Sequence, residues 1–177
     1  TRLAEIEYAS VAVVTFAFAA NEARDAFTGS GFLVPPVDGH TIKAATYSTA
    51  KWSWLAAADR SIAVVRTSLG RHREEGDLQR DDAGLAAVAL ADVRAATGVS
   101  GAPIDTRVTR WGGALPQYSV GHGSRVAAIR AGLGGLPGLA VCGAAYDGVG
   151  VPACIASANA AVTQVVEDLR RRGRIAV

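Results

Sequence analysis

The sequence predicts an α+β fold leaning to α/β: a mixed β-sheet with helices packed on it, closed by a strand-turn-helix unit. Three observations carry this. Runs rich in β-branched and aromatic residues cluster in the first half, between Ile6 and Leu69. Helical spacings of apolar residues come later, after Asp82 and again after Ser124. The chain then ends on a short apolar strand (residues 139–142), a glycine turn and a stripe formed by Ile155, Ala158, Val162, Val165, Val166 and Leu169, spaced by threes and fours.

Residues 6–18 read as a long strand. Tyr8, Ala12, Val14, Phe16 and Phe18 share one face, while Val11, Val13 and Ala17 share the other, so the strand is expected to be covered on both sides. Residues 21–31 form a loop, and residues 31–35 a short apolar run stopped by Pro35-Pro36. Asp38-Gly39 is a turn signal. Residues 41–54 begin as a strand. Trp52 and Trp54 lie two apart, on one face if extended, as core packing or as an aromatic wall for a flat ligand. A further strand covers residues 61–69. Residues 71–82 read as a solvated, charged connection with His72 exposed in it, and His40 beside a turn glycine reads the same way.

Asp81 or Asp82 is expected to cap a helix running to about Thr97 and stopped by Gly98. Leu85, Val88 and Ala89 give it an apolar stripe that Ala86, Leu90 and Val93 widen, which suits a helix lying on a sheet. After Gly101-Ala102-Pro103, residues 104–111 alternate as a strand. Ser124 is expected to cap a short helix carrying Val126, Ile129 and Leu133, ended by Gly134-Gly135.

Composition limits the function classes. A chain of 177 residues is one domain or one and a half, and half its residues are hydrophobic. A net charge of +2 argues against a dedicated nucleic-acid binder. No apolar run reaches the ~18 residues of a membrane span, and no basic start precedes an apolar signal region. Cys142 and Cys154 sit in apolar sequence and read as buried free thiols, hence an intracellular, cytoplasmic setting. No Cys/His cluster has zinc spacing, so no metal is expected. There is no methionine, and Thr1 leads almost at once into strand-like sequence. The chain therefore reads as a fragment or an excised domain.

The densest chemistry lies in residues 143–158, GAAYDGVGVPACIASA. Pro152 falls in the first helical turn, where a missing N–H costs nothing. Gly148 and Gly150 lack a Cβ and allow close approach to the backbone. A helix start offers free N–H groups and a partial positive charge, which suits a phosphate or the electron-rich edge of a cofactor. Gly148-Val149-Gly150-Val151-Pro152-Ala153 matches the loose G-x-G-x-x-G/A fingerprint. A complete dinucleotide fold needs an acidic residue ending a second strand about twenty positions on. Glu167 and Asp168 lie at that distance but on the same helix, where they cannot grip a ribose. The plainer alternative is an ordinary glycine-rich strand-to-helix turn.

Thr109-Arg110-Trp111, Pro116-Gln117-Tyr118, Gly121-His122 and the glycine turn ending in Cys154-Ile155-Ala156-Ser157 together resemble the C-terminal half of the protoporphyrinogen oxidase family. They are equally similar to its bacterial relatives that oxidise coproporphyrinogen III. Residues 29–35, GSGFLVP, and residues 47–52 are similar to that family's substrate domain. The resemblance spans most of residues 6–167.

What the resemblance implies is a flavoprotein of the amine-oxidase superfamily. FAD is held between an N-terminal glycine-rich βαβ unit, which has no counterpart here, and a strand-turn-helix corresponding to residues 139–169. Residues 1–135 would be part of the substrate-binding domain and residues 136–177 the segment that completes the FAD-binding domain. Carried over by position, the FAD-contacting residues are Ala144, Val149, Gly150 and Val151, with Gly143 and Gly148 shaping the turn. Many relatives have Asn in place of Ala144 and Gly in place of Ala158. Those departures remove a side-chain hydrogen bond and loosen helix packing but leave the backbone contacts.

The resemblance further implies that the flavin carries the redox step of heme biosynthesis, with a porphyrinogen as substrate and molecular oxygen taking the electrons. A helix start near the flavin's pyrimidine edge would stabilise the charge gained on reduction. Phe32, Leu33 and Val34, with Trp52 or Tyr47, are candidates for an apolar substrate wall. Arg66, Arg107 and Arg110 are candidates for substrate carboxylates, against the plainer reading of solvent-facing arginines at a sheet edge. His122, a lone histidine beside glycine, is read as a hydrogen-bonded loop residue rather than a general base. No catalytic residue is identified.

The fragment alone is expected to be inactive and to self-associate through the surface that the missing half would cover. No transmembrane segment is expected, and peripheral membrane association of the full-length protein stays open. The alternatives are a fragment of another amine oxidase or carotenoid desaturase, or a non-catalytic binding module. Amine oxidases usually place an aromatic pair near the last turn, where only Tyr146 is found here.

Overall fold

A computed structural model describes residues 2–174. Thr1 and residues 175–177, the outer ends of the two expected segments, lie outside it. The chain divides into two compact units, Ala9–Ala114 and a second made of Thr1–Tyr8 with Leu115–Val177. The boundary expected at 135/136 falls within the second of these units. The helix after residue 121 packs with the N-terminal 3-10 turn Arg2–Glu5 and shares a small core with Ile6 and Ala145, so it belongs with the C-terminal segment.

The unit Ala9–Ala114 is built on a five-stranded sheet of order β2-β3-β4-β1-β5. Its strands are β1 (Tyr8–Ala19), β2 (Gly31–Leu33), β3 (Ile42–Tyr47), β4 (Ile62–Leu69) and β5 (Asp105–Pro116). β1 pairs antiparallel with β4, placing Phe16 opposite Val65, and β3 pairs antiparallel with both β4 and β2. At the far edge Ile104 donates to the Ala17 carbonyl, at 2.8 Å, as the chain enters β5. Ala12, Val14, Phe16 and Phe18 alternate into the core. Val11, Val13 and Ala17 on the opposite face are only half-buried, so β1 is not closed in on both sides as expected.

One face of the sheet carries α4 (Asp82–Thr97). Leu85, Ala89 and Val93, one turn apart, are fully buried against it, and Ala86, Val88 and Leu90 flank them, so Val93 rather than the expected Val88 lies at the centre of the stripe. The caps are those the sequence announces: Asp81 accepts from the Gly84 N–H at 2.7 Å, and Gly98 ends the helix in the left-handed region. Asp92 on α4 accepts from the N–H groups of Thr41 and Ile42, fixing the helix to the start of β3.

Two expected features of this unit change. After Tyr47 the chain does not stay extended but turns through α2 (Ser48–Lys51) and α3 (Ser53–Ala58), after α1 (Ala20–Ala23) has closed β1. Alanines favour helix here over the local β-preference of the indoles. Trp52 and Trp54 therefore do not share a strand face, and Trp54 stays exposed. The charged stretch 71–82 is not a free solvated connection. Arg71 donates to the Val34 carbonyl, Glu75 accepts from the Ser10 N–H, and Arg110 donates to the carbonyls of Leu78 and Arg80 and to Asp82.

In the second unit, α5 (His122–Leu133) starts behind Gly121, whose φ of +85° breaks the extended chain ahead of the expected cap Ser124. The final helix, α6 (Val151–Arg171), has Pro152 in its first turn as read from the sequence. Residues 139–142 are not a strand, since no described strand lies beside them to share a hydrogen-bond ladder. The core here is small: Ile6, Ile129 and Ala145, flanked by Leu133, Val141 and Tyr146. No helix among the described residues is long and apolar enough to cross a membrane.

Candidate functional site

The candidate site is the turn between residue 142 and α6, and the open end of α6. Gly150 is the residue before the helix and offers no side-chain cap. No acidic residue lies in the first turn. Val149 and Val151 are exposed, at 51% and 73%, and Gly150 is exposed beside them. The first-turn N–H groups have no partner inside the helix, and the carboxylate nearest in sequence, Asp147, is engaged by Arg130 and by Ser157 one turn further on. An electron-rich group of a cofactor fits this end. Three of the four expected contact residues, Val149, Gly150 and Val151, thus form one open edge.

The glycines divide their work differently from the sequence reading. Gly148 has a φ of +135°, and a Cβ there would lie 2.9 Å from the Ala153 Cβ. Its glycine is required by the chain's own helix, not by an approaching ligand. Gly150 sits in ordinary extended backbone. Open space belongs instead to Gly143, at φ +109°, where an added Cβ would meet nothing within 4 Å.

Two side-chain systems hold the turn. On one side Arg130 of α5 makes a two-pronged ion pair with Asp147, at 2.9 and 2.5 Å. Asp147 also accepts from the Ser157 hydroxyl at 2.9 Å, and that hydroxyl accepts from the Gly143 N–H at 3.2 Å. The hydrogen bonds from Arg130 hold the Asp147 carboxyl below the usual carboxylate range, and Ser157 adds to this. On the other side the Tyr118 hydroxyl donates to the Ala144 carbonyl at 2.6 Å and accepts from the Gly148 N–H at 2.7 Å. Ala144, the fourth expected contact, therefore has its carbonyl occupied. Asp168 lies on α6 as foreseen, accepting from the Gly138 N–H and from Arg171.

His122 is not the hydrogen-bonded loop residue expected. It is the first residue of α5, 7% exposed, with its ring stacked on Tyr118 at 3.9 Å and 13°. Neither ring nitrogen has a hydrogen-bond partner among the described residues. The cysteines are free, but Cys142 is exposed rather than buried, and the half-buried Cys154 thiol faces the Gly148 carbonyl at 3.6 Å.

In the other unit the substrate-wall candidates separate. Leu33 is 82% exposed, Phe32 is half-buried against Tyr47, and Val34 is buried in the core. Tyr47 stacks on Phe27 at 5.1 Å and is itself a core residue. Arg110 is committed to Asp82 and two carbonyls, whereas Arg66 and Arg107 are exposed. Tyr118, Arg130, Asp147 and Ser157 are not marked as a set in the sequence: Tyr118, Asp147 and Ser157 lie within the motifs quoted above, and Arg130 lies outside them.

No family model matches the chain. Curated relatives do. The coproporphyrinogen III oxidase of Mycobacterium tuberculosis (strain H37Rv) is 44% identical over 140 residues, covering 79% of this chain and 30% of the relative. That of Bacillus subtilis (strain 168) is 30% identical over 170 residues, covering 96% and 36%. Among solved structures, a candidate protoporphyrinogen oxidase from Exiguobacterium sp. 255-15 matches with a TM-score of 0.81 at 30% identity, over 95% of this chain and 36% of that one. Reduced UDP-galactopyranose mutase, with a TM-score of 0.52 at 10% identity, shares the fold alone. The chain spans about a third of the length of the curated relatives it matches. Sequence and fold together place it in the family of the coproporphyrinogen and protoporphyrinogen oxidases.

Proposed function

We propose that this chain is the part of an FAD-dependent porphyrinogen oxidase that carries one wall of the flavin site and a portion of the substrate-binding domain. The whole protein would oxidise coproporphyrinogen III to the porphyrin in heme biosynthesis, in the cytoplasm, with molecular oxygen as electron acceptor. Coproporphyrinogen III is preferred over protoporphyrinogen because relatives named for it reach 44% identity, against 30% for the solved structure named for protoporphyrinogen. The observation that carries the reading is the uncapped start of α6, with no acidic residue in its first turn, held open behind a braced glycine turn. FAD, when bound, supplies the hydride acceptor. Val149, Gly150 and Val151 would present backbone groups to it, with Ala144 shaping the turn behind them. The unit Ala9–Ala114 would supply the substrate side, where Leu33 offers apolar surface and Arg66 and Arg107 offer charge to the substrate carboxylates.

The test uses a polypeptide of the relatives' full length that contains this chain. Purified with FAD, it should retain a yellow flavin and produce porphyrin fluorescence from coproporphyrinogen III in air. This chain alone should retain no flavin after gel filtration. A full-length protein with neither retained flavin nor porphyrin formation would overturn the reading.

A further inference from the structure

The phenol of Tyr118 does something that the aromatic ring alone could not. Its hydroxyl donates to the Ala144 carbonyl and accepts from the Gly148 N–H, at 2.6 and 2.7 Å, so one oxygen ties both ends of residues 144–148 together. The ring is fixed in turn: it stacks at 3.9 Å on His122, which is 7% exposed at the first residue of α5. A phenylalanine would keep the stack and lose both bonds. The bonded groups lie directly ahead of the candidate flavin edge, since Val149 follows Gly148. A trans peptide is planar, so fixing the Ala144 carbonyl turns the Ala145 N–H to the opposite side. The Gly148 N–H, already used by Tyr118, is not left for a cofactor.

The second brace is independent. Gly143 is held through Ser157 and Asp147 to Arg130, by hydrogen bonds that do not involve Tyr118. A turn held from both sides needs no ordering when a ligand arrives, and avoided ordering appears as affinity.

We propose that Tyr118 is a positioning residue of the flavin site. Its hydroxyl preforms the 144–148 turn so that the open start of α6 meets the cofactor already in place. This rests on the functional reading above. It predicts that Tyr118→Phe, in the full-length protein, weakens FAD binding about tenfold, the loss expected when two solvent-exposed neutral hydrogen bonds from the weaker half of the usual range are removed.

The experiment titrates apoprotein with FAD by flavin fluorescence and records the visible absorbance bands of the bound flavin. The expected result for Tyr118→Phe is a Kd raised about tenfold and a shifted band. If Tyr118 served stability alone, the variant apoprotein would melt lower while Kd and spectrum stayed within twofold, and the proposal would be overturned. If the unsubstituted protein binds no FAD, the functional reading falls and takes this inference with it. If it binds FAD and Tyr118→Phe binds equally well, only the inference falls. A second measurement needs no variant: hydrogen exchange at the Gly148 amide of the apoprotein. Slow exchange that FAD does not change supports a preformed turn, and protection that arises only with FAD overturns it.

Discussion

Asp147 shows how much of the site is decided by single side chains. Its carboxylate collects two bonds from Arg130 and one from Ser157, and its pKa is depressed in the folded chain as a result. A depressed carboxylate pKa stabilises the fold above the unfolded-state value, and the contribution is lost as pH falls through the folded-state value. Both partners are more than a third exposed, at 46% and 38%, so solvent screening keeps the ion pair near 0.2–1 kcal/mol. Asp147→Asn should therefore lower stability by about that amount at pH 7, with the gap from the parent closing below about pH 4. Paired thermal melts at the two pH values decide it; a gap that widens in acid would contradict the assignment. None of this was visible in the sequence. Arg130, Asp147 and Ser157 follow no period, and side-chain networks are set by tertiary placement rather than by spacing.

At the scale of elements, α4 is the piece that the sequence specified most fully. Its cap, its stop and its buried stripe all follow from local chemistry, and the structure supplies each in the expected place. The two contributions separate experimentally. Asp81→Ala should cost about 1 kcal/mol, the ordinary value of a lost N-cap, whereas Leu85→Ala, from a fully buried site, should cost about 2–5 kcal/mol. Equal costs in urea unfolding would mean that α4 is not held by its packed face. Where the elements misled, the reason is non-local. Residues 139–142 have the composition of a strand, but a strand exists only through its neighbours. The indoles of Trp52 and Trp54 suggested extension, yet the surrounding alanines and the end of β3 at the packed Tyr47 turn the chain into helices. Ser124 looked like a cap because nothing local showed that Gly121 would bend the chain first.

For the whole molecule, the informative feature is what α6 leaves uncovered. Val151, Ile155 and Val162 fall on one face of the helix and are 73%, 56% and 62% exposed, with Leu136 and Leu139 exposed in the same unit. Of the whole helix only Ser157 is buried. An amphipathic helix is stabilised chiefly by packing its apolar face, and here that face has no cover among the described residues. The relatives are about three times longer than the chain, and the proposed function requires part of that additional length to pack against the open stripe. On its own the chain should bury the stripe against a second copy. Sedimentation velocity should show concentration-dependent association. Ile155→Lys combined with Val162→Lys should abolish it while leaving the sheet unit's melting unchanged, because neither residue belongs to that unit's core. In the full-length protein, where the proposed function requires this face to be covered, the same pair should instead destabilise the fold and lower FAD retention. A monomeric parent chain at high concentration, or a full-length protein indifferent to both lysines, would show that the face is a solvent surface. The flavin edge at the start of α6 would then lack the wall that the proposed function requires.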